Sequence, residues 1–254
     1  MRILLPPSEG KTAAVKGCPL VLNELSFPEL STARREVISA LQQVSGSADA
    51  LRQLGVGASL AAEVLRNTRL QSEPAAPAHL IYSGVLYDAL GYRSLTPIQR
   101  RKADAAVVVL SGLWGAIGFA DRIPAYRLGM SVGLPGLGRL GAYWKPRLGA
   151  ALTAYAVGHL LVDCRSSSYA AAWTPPAEQT VAVNVFRQAN GKRTVVSHFA
   201  KHTRGEVAGH LLTRRGNAPG TPAQLHKAVA ERWDAELVPA TARKAHQLNL
   251  ILPG

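Results

Sequence analysis

The stretch VVVLSGLWGAIGFADRIPAYRLGM, residues 107–130, decides the fold of this chain. It opens with four consecutive aliphatic residues, three of them β-branched, a run typical of a strand covered on both faces of a sheet. The strand leads into Ser111 and Gly112, and a proline-stiffened segment then presents Tyr126 and Arg127. Loops at the carboxyl ends of strands commonly carry function in α/β sheets. The stretch therefore indicates a functional loop or, as the simpler alternative, a core strand followed by a glycine turn and a surface arginine.

The composition is that of a globular protein with a large excess of positive charge. The chain has 254 residues, of which 47% are hydrophobic and 18% charged, so it can bury a core in one or two domains. Lys and Arg number 29 against 16 Asp and Glu, which gives a net charge of +13. Such a surplus favours polyanionic partners, either nucleic acid or phosphorylated small molecules. A solvated basic surface is the alternative.

Cysteine usage and hydropathy indicate a reduced, water-soluble environment. Cys18 and Cys164 are too few for a disulfide framework or a four-cysteine metal site. The first five residues meet two prolines too early for a signal peptide, and the weakly polar run at residues 105–120 is shorter than the ~20 apolar residues of a membrane helix. We expect a cytoplasmic protein with no membrane partner.

Strand patterns interleave with helix patterns along the whole chain, which predicts the mixed α/β class. The chain reads as a single compact domain, with a central mixed sheet flanked by helices and a helical subdomain at residues 30–70. Asn190 and Gly191 form a strong hairpin signal between the fifth and sixth predicted strands. Strands are predicted at residues 2–5, 79–82, 107–110, 159–163, 181–187, 194–199 and 236–238.

The loop after the first strand contains Gly10, Lys11 and Thr12, which suggests a phosphate-binding P-loop. That motif needs a second glycine five positions before Gly10, and Leu5 stands there instead. What remains is a lysine beside the Ser8 and Thr12 hydroxyls at the end of a strand. We interpret it as a looser anion site, with a solvated lysine as the alternative.

Residues 49–66 read as two short helices joined by a Gly55-Val56-Gly57 turn and resemble a helix-hairpin-helix motif. Glycines let such a turn approach a phosphodiester backbone, and the amides that begin the second helix face an anion. Contacts of this kind carry no base sequence information. Ser59 stands where DNA-binding versions often have a lysine, so positive charge has to come from arginines such as Arg66. A plain packed hairpin is the alternative.

Two further loops carry polar side chains. Ser166, Ser168 and Tyr169 follow a predicted buried strand, and together with Arg165 they suggest a polar pocket wall; a serine-rich helix cap is the alternative. Later in the chain, Lys201 and Arg204 follow the last strand of the predicted hairpin.

Neither a metal nor a cofactor is predicted. His198 and His202 are four residues apart, but a third ligand and the glutamate of the zinc-protease motif are missing. The glycine spacing does not match a dinucleotide-binding fingerprint either.

Several of these segments together resemble the YaaA family of bacterial peroxide-stress proteins. The resemblance implies a distinctive mixed α/β fold and a DNA-binding role that limits oxidative damage, linked in the family to lower free iron. Two positions depart from the family pattern, since Gly129 and Ser168 replace residues that are usually acidic. The matching segments are PPSEGKT (6–12), YSGVLY (82–87), LSGLWG (110–115), PAYRLGM (124–130), Trp144, SSSY (166–169) and SHFAKHTRG (197–205).

Two functions are therefore carried forward, with a structural scaffold as a third and weaker alternative. The first is sequence-independent binding of double-stranded DNA during peroxide stress, through a basic cleft and the hairpin at Gly55, Gly57, Ser59 and Arg66. The second is an enzyme that acts on a nucleotide, nucleobase or other phosphorylated compound, with Tyr126, Tyr169 or Lys201 transferring protons. The strand-end loops are expected to converge on one cleft formed by Lys11, Ser111, Gly112, Tyr126, Arg127, Ser166, Tyr169, Lys201 and Arg204.

Overall fold

The structure, a computed structural model, describes residues 1–189, 192–195 and 197–253. The strands are β1 Arg2–Leu5, β2 Ala76–Pro77, β3 Val107–Ser111, β4 Gly115–Gly118, β5 Arg122–Ile123, β6 Gly133–Leu134, β7 Gly138–Arg139, β8 Leu161–Asp163, β9 Thr180–Ala189, β10 Lys192–Val195, β11 Asp234–Val238 and β12 His246–Pro253. The helices are α1 Ser31–Ser45, α2 Ala50–Leu54, α3 Ala61–Arg66, α4 Ala78–Ile81, α5 Val85–Leu90, α6 Pro97–Ala106, α7 Leu140–Ala156, α8 Ser167–Ala170, α9 Ser197–Thr213 and α10 Pro222–Ala230.

A mixed sheet of eight strands forms the centre of the described part of the molecule, which confirms the predicted fold class. Its order is β11-β12-β9-β8-β1-β3-β4, and β10 pairs with β9. The five strands from β12 to β3 run parallel, whereas β11 and β4 lie antiparallel at the two ends of that order. The described residues contain no helix that could span a bilayer.

The strand of the 107–130 stretch lies where its composition requires. Every residue of β3 is buried, and Leu5 of β1 pairs with Val109 of β3. A strand covered on both faces has no polar face to present, which explains the unbroken aliphatic run. The chain then turns back as β4, so that Ser111 pairs with Gly115.

The predicted strands at residues 79–82 and 194–199 differ from the structure, and strands β4 and β12 of the large sheet have no predicted counterpart. The first segment begins inside helix α4 rather than forming a strand, and the second leaves the sheet at Val195 and enters helix α9. Strand β12 was not predicted and pairs along its full length with β9. The predicted turn at Asn190 and Gly191 lies outside the described residues.

Helices α5 and α9 pack together through glycines. A Cβ on Gly205 would lie 2.1 Å from the carbonyl oxygen of Leu86, and one on Gly209 would lie 2.8 Å from that of Leu90. Only a residue without a side chain permits this approach of two helix backbones. The packing fixes the position of α9, which carries Lys201 and Arg204, relative to the amino end of α5.

Helices α1, α2 and α3 form the helical segment at residues 30–70. A 3₁₀ turn at Ala58–Leu60 precedes α3, which begins at Ala61, two to three residues after the predicted start of the second helix. Leu54 and Val64 are buried and belong to the same hydrophobic core as the sheet. The description of this segment as a subdomain stays a prediction.

Candidate functional site

A cavity of about 430 Å³ opens beyond the carboxyl ends of β1 and β8. The chain places β3 on one side of β1 and β8 on the other, so the strand order reverses at this point. Ligands of open α/β sheets bind at such switch points, because the loops that leave the two strands diverge and leave a crevice. The wall consists of residues 6–10, 83–87 and 129–131 together with Cys164, Ser166, Ser168, Tyr169, Lys201 and Arg204.

Hydrogen bonds to neighbouring segments hold the loop after β1 in place. The amide of Ser83 donates to Ser8 Oγ at 3.1 Å, and the Tyr87 hydroxyl donates to the carbonyl oxygen of Pro6 at 2.7 Å. Lys11 forms an isolated antiparallel bridge with Tyr82. The loop that ends the first strand is therefore fixed at both ends against the segment at residues 81–87.

Lys11 braces this loop from within. Its ammonium donates to the carbonyl oxygens of Ser8 at 2.7 Å and Glu9 at 3.3 Å, and it lies 4.3 Å from the centre of the Tyr126 ring. Burial, followed by the nearby charge of Arg127, lowers the pKa of Lys11 from 10.5 to about 7. Lys11 thus lies behind the cavity wall, where it supports the backbone that forms the wall.

Replacing Lys11 by methionine is expected to change the pH dependence of stability. The unfolded chain keeps a proton on Lys11 up to about pH 10.5, whereas the folded chain releases it near pH 7. Unfolding therefore takes up a proton in this window, so the free energy of unfolding rises with pH across it. Urea unfolding at pH 7, 8 and 9 should show the wild type gaining stability relative to Lys11→Met. The control variant, Lys16→Met at an exposed position, should run parallel to the wild type; a parallel Lys11→Met curve would contradict the assignment.

Arg127 connects the loop after β1 to the helical hairpin. Its Nη1 donates to the carbonyl oxygen of Glu9 at 2.8 Å and lies 3.5 Å from Oε2 of Glu63 on α3. The buried amide of Asn67 binds the backbone of the same residue on both sides, since its Oδ1 accepts from Arg127 N at 2.8 Å and its Nδ2 donates to Arg127 O at 2.9 Å. Arg127 is therefore held between the two regions instead of lining the cavity.

Ser111 and Tyr126 lie in the interior rather than on the cavity wall. The Tyr126 hydroxyl is 2.7 Å from Ser111 Oγ and 3.0 Å from the Tyr82 hydroxyl. Burial raises the pKa of Tyr126 well above its usual value, so the phenol stays protonated. Because the ring is buried behind the wall, it does not reach a ligand in the cavity. Gly112 is also internal, and its carbonyl oxygen accepts from Nε1 of Trp144 at 2.8 Å.

The loop after β8 supplies Ser166, Ser168 and Tyr169 to the wall. Burial raises the pKa of Tyr169 to about 12, and the amide of Met130 hydrogen-bonds its hydroxyl. The expectation that Arg165 lines the pocket was wrong. Its guanidinium turns inward and binds both carboxylate oxygens of Asp163, at 2.8 and 2.6 Å, because a buried aspartate at the end of β8 requires a partner.

Helix α9 adds the two cationic groups of the wall. Lys201 forms an ion pair with Glu9 at 3.1 Å, and Arg204 donates from Nε to the carbonyl oxygen of Val183 at 2.9 Å. His202 lies on another part of the helix, 3.6 Å from Glu206. In the described residues, no three His, Cys, Asp or Glu side chains are grouped closely enough to hold a metal ion.

The predicted site residues thus fall into two layers around the loop at residues 8–10. Ser166, Tyr169, Lys201 and Arg204 line the cavity, whereas the remaining five lie behind it. Sequence reasoning missed three residues that hold the layers together, Glu9, Glu63 and Asn67. Glu9 stands inside a recognised motif. Glu63 and Asn67 instead contact Arg127, which lies at least 60 residues away in the chain, so no local pattern could reveal these contacts.

The hairpin residues lie apart from the cavity. Gly55 and Gly57 are exposed, and Gly55 has the left-handed backbone conformation that ends α2. Val56 is half-buried and packs against the core, so it anchors the turn. Ser59 is exposed on the 3₁₀ turn, and Arg66 lies 4.0 Å from Glu73.

Comparison with known proteins agrees with the resemblance drawn from the motifs. A family model described as peroxide stress protein YaaA matches residues 1–236. A UPF0246 protein of Streptomyces coelicolor is 44% identical over 236 residues, which cover 91% of this chain and 90% of that protein. A UPF0246 protein of Corynebacterium efficiens is 42% identical over 215 residues, 84% of this chain and 85% of that protein. The chain therefore belongs to the YaaA family of peroxide stress proteins.

Proposed function

We propose that this protein acts in the response to peroxide stress by binding duplex DNA without sequence preference. The observation that carries the proposal is the exposed turn at Gly55 and Gly57 in a chain with a net charge of +13. In the described part of the chain, and leaving the adjacent residues aside, no atom lies within 4 Å of the position that a Cβ would take on either glycine. The turn is therefore open to a phosphodiester backbone, and the amides that begin the following helical turn have no partners within it.

The arginines around the hairpin are already engaged with acidic side chains. Arg52 is 2.7 Å from Asp49, and Arg69 is 3.0 Å from Glu73. The pair of Arg52 and Asp49 is exposed on both sides, and such an ion pair is weak and can exchange its carboxylate for a phosphate. The hairpin would thus contribute backbone contacts, while the attraction of DNA comes from the positive charge of the whole chain.

The test is binding of a random-sequence duplex over a range of salt concentrations. We expect the affinity to fall steeply as salt rises, because each neutralised phosphate releases counterions. Gly57→Glu should weaken binding about fivefold, since a like charge about 4 Å from a phosphate costs about 1 kcal/mol in water. Gly57→Lys should strengthen binding and steepen the salt dependence. Gly57 has φ −76° and ψ 165°, which any residue adopts, so all these variants should fold.

Ile98→Glu is the matched control, because Ile98 is 72% exposed on α6 and the variant carries the same net charge as Gly57→Glu. Equal weakening by the two variants would mean that the hairpin does not touch DNA. The proposal would be overturned if the wild type did not bind duplex DNA, or if its affinity did not change with salt concentration.

A second candidate function is binding or conversion of a small phosphorylated molecule in the cavity. It is favoured by the position of the cavity at the strand switch point and by the two cationic groups on its wall. Tyr169 and Lys201 are the wall residues that could transfer protons. A rise in thermal stability with one nucleotide of a panel would support this function, and no rise with any of them would exclude it for that class.

A further inference from the structure

Among the residues that the structure describes, Arg204 has no acidic partner for the positive charge that it adds to the cavity wall. The side chain is half-buried, and its Nε donates to the carbonyl oxygen of Val183 at 2.9 Å. None of the ion pairs among the described residues includes Arg204. Charged groups that leave water are normally paired, and a guanidinium with one N–H bound still has four to offer. The wall therefore carries an unbalanced cation that suits an anionic ligand.

Lys201 lies one helical turn before Arg204 and also lines the cavity. Its ammonium is 3.1 Å from Oε1 of Glu9, which belongs to the loop after β1. The hydrogen bond and charge of Lys201 lower the pKa of the Glu9 carboxyl. The pair joins α9 to that loop, and both side chains are more than half exposed, at 55% and 79%. An exposed pair of this kind is easily exchanged for another anion.

The other residues of the wall indicate which further groups the ligand carries. Within the described residues, the hydroxyls of Ser166 and Ser168 make no hydrogen bond and are free to donate to an anion. Pro7, Leu86 and Met130 add apolar surface to the same wall. A volume of about 430 Å³ lies within the usual range of small-molecule sites. The cavity thus combines anion-binding groups with apolar surface.

We propose that the cavity binds a nucleoside monophosphate, with its phosphate on Arg204 and the two serine hydroxyls and its base against the apolar surface. The phosphate also replaces the Glu9 carboxylate as the partner of Lys201. Glu9 therefore competes with the ligand and lowers its affinity. A phosphate fits better than a carboxylate, since its three oxygens can accept from two cations and two hydroxyls at once. This inference rests on the second function proposed above and names its ligand class and its competing residue.

Calorimetric titration and thermal unfolding with AMP, GMP, CMP and UMP test the proposal, with adenosine and inorganic phosphate as controls. At least one monophosphate should bind the wild type, and its nucleoside should bind far more weakly. Glu9→Gln should bind the same nucleotide about threefold to fivefold more tightly, the range expected for removing one exposed ion pair. Glu24→Gln removes an exposed carboxylate outside the wall and should bind like the wild type.

Arg204→Met should weaken binding about 30-fold, as expected for a charge-assisted contact. Arg204→Lys keeps the charge but not the fork of N–H groups, so its affinity should fall between those of Arg204→Met and the wild type. It also keeps the test valid if Arg204→Met folds poorly. If no monophosphate binds the wild type or Glu9→Gln, this inference and the second proposed function both fail. If a nucleotide binds but Glu9→Gln is no tighter, only the competition fails. A nucleoside that binds as well as its monophosphate would refute the phosphate anchor.

Discussion

Replacing Arg165 by methionine is expected to lower the free energy of unfolding by about 3–5 kcal/mol, the usual cost of removing one partner of a buried ion pair. Arg165 is 4% exposed, and its guanidinium binds both oxygens of Asp163. Its Nη1 also donates to the carbonyl oxygens of Tyr169 at 3.2 Å and Trp173 at 3.0 Å. Methionine fills similar space but leaves a buried carboxylate and two carbonyl groups without these donors. Urea unfolding at pH 7 measures the loss.

The exposed pair of Arg193 and Glu236 provides the control for that experiment. It has the same two-pronged geometry, with distances of 2.8 and 2.7 Å, but its side chains are 41% and 46% exposed. Arg193→Met should therefore cost no more than about 1 kcal/mol. Similar losses in the two variants would show that burial adds nothing to the pair at Asp163 and that the loop after β8 does not depend on Arg165.

Replacing Gly205 by alanine is expected to destabilise the protein by about 3 kcal/mol, at the upper end of the cost of overpacking a core. The new methyl group would lie 2.1 Å from the carbonyl oxygen of Leu86 and 2.9 Å from Cβ of Ala89. Neither atom can rotate away, so α5 and α9 have to separate. Because the two helices carry opposite parts of the cavity wall, the same change should also weaken any ligand that binds there.

A graded series of helix glycines makes this prediction specific. Gly209 is less crowded, with 2.8 Å to the carbonyl oxygen of Leu90. For Gly149 on α7, no described atom outside its own stretch of helix lies within 4 Å of the Cβ position. All three alanines gain the same helix propensity, up to about 1 kcal/mol. Thermal unfolding should therefore rank Gly149→Ala above the wild type, then Gly209→Ala, then Gly205→Ala. A stable Gly205→Ala would mean that the two helices do not pack as closely as described.

Local patterns predicted most elements of the sheet because each depends on its own stretch of chain. The aliphatic run of β3 and the apolar residues of β1 need only be covered on both faces, and both strands were placed correctly. Strand β12 was not predicted, although one of its partners, β11, lies just before it in the chain; the other, β9, lies about 65 residues earlier. The helix α9 was expected to begin later, because the pattern leading to Phe199 reads equally well as a strand.

The loops that form the candidate site were predicted, but the orientation of their side chains was not. Motifs pointed to the loops after β1, β3 and β8, and parallel strands bring such loops to one edge of a sheet. Which side chains face the cavity depends on packing, however, and packing turned Tyr126 toward Ser111 and Arg165 toward Asp163. Both orientations satisfy polar groups that would otherwise be buried without partners.

The sequence by itself determined the mixed α/β class, the YaaA family, the positive charge and the glycine turn of the hairpin, because composition, period and motif are local properties of the chain. Only the tertiary structure decided that Lys201 and Arg204 share a cavity while Lys11 and Arg127 brace the loop beside it. The contacts that determine which of these four cations line the cavity join residues up to 192 positions apart. Contacts of that range arise when the strands and helices pack together.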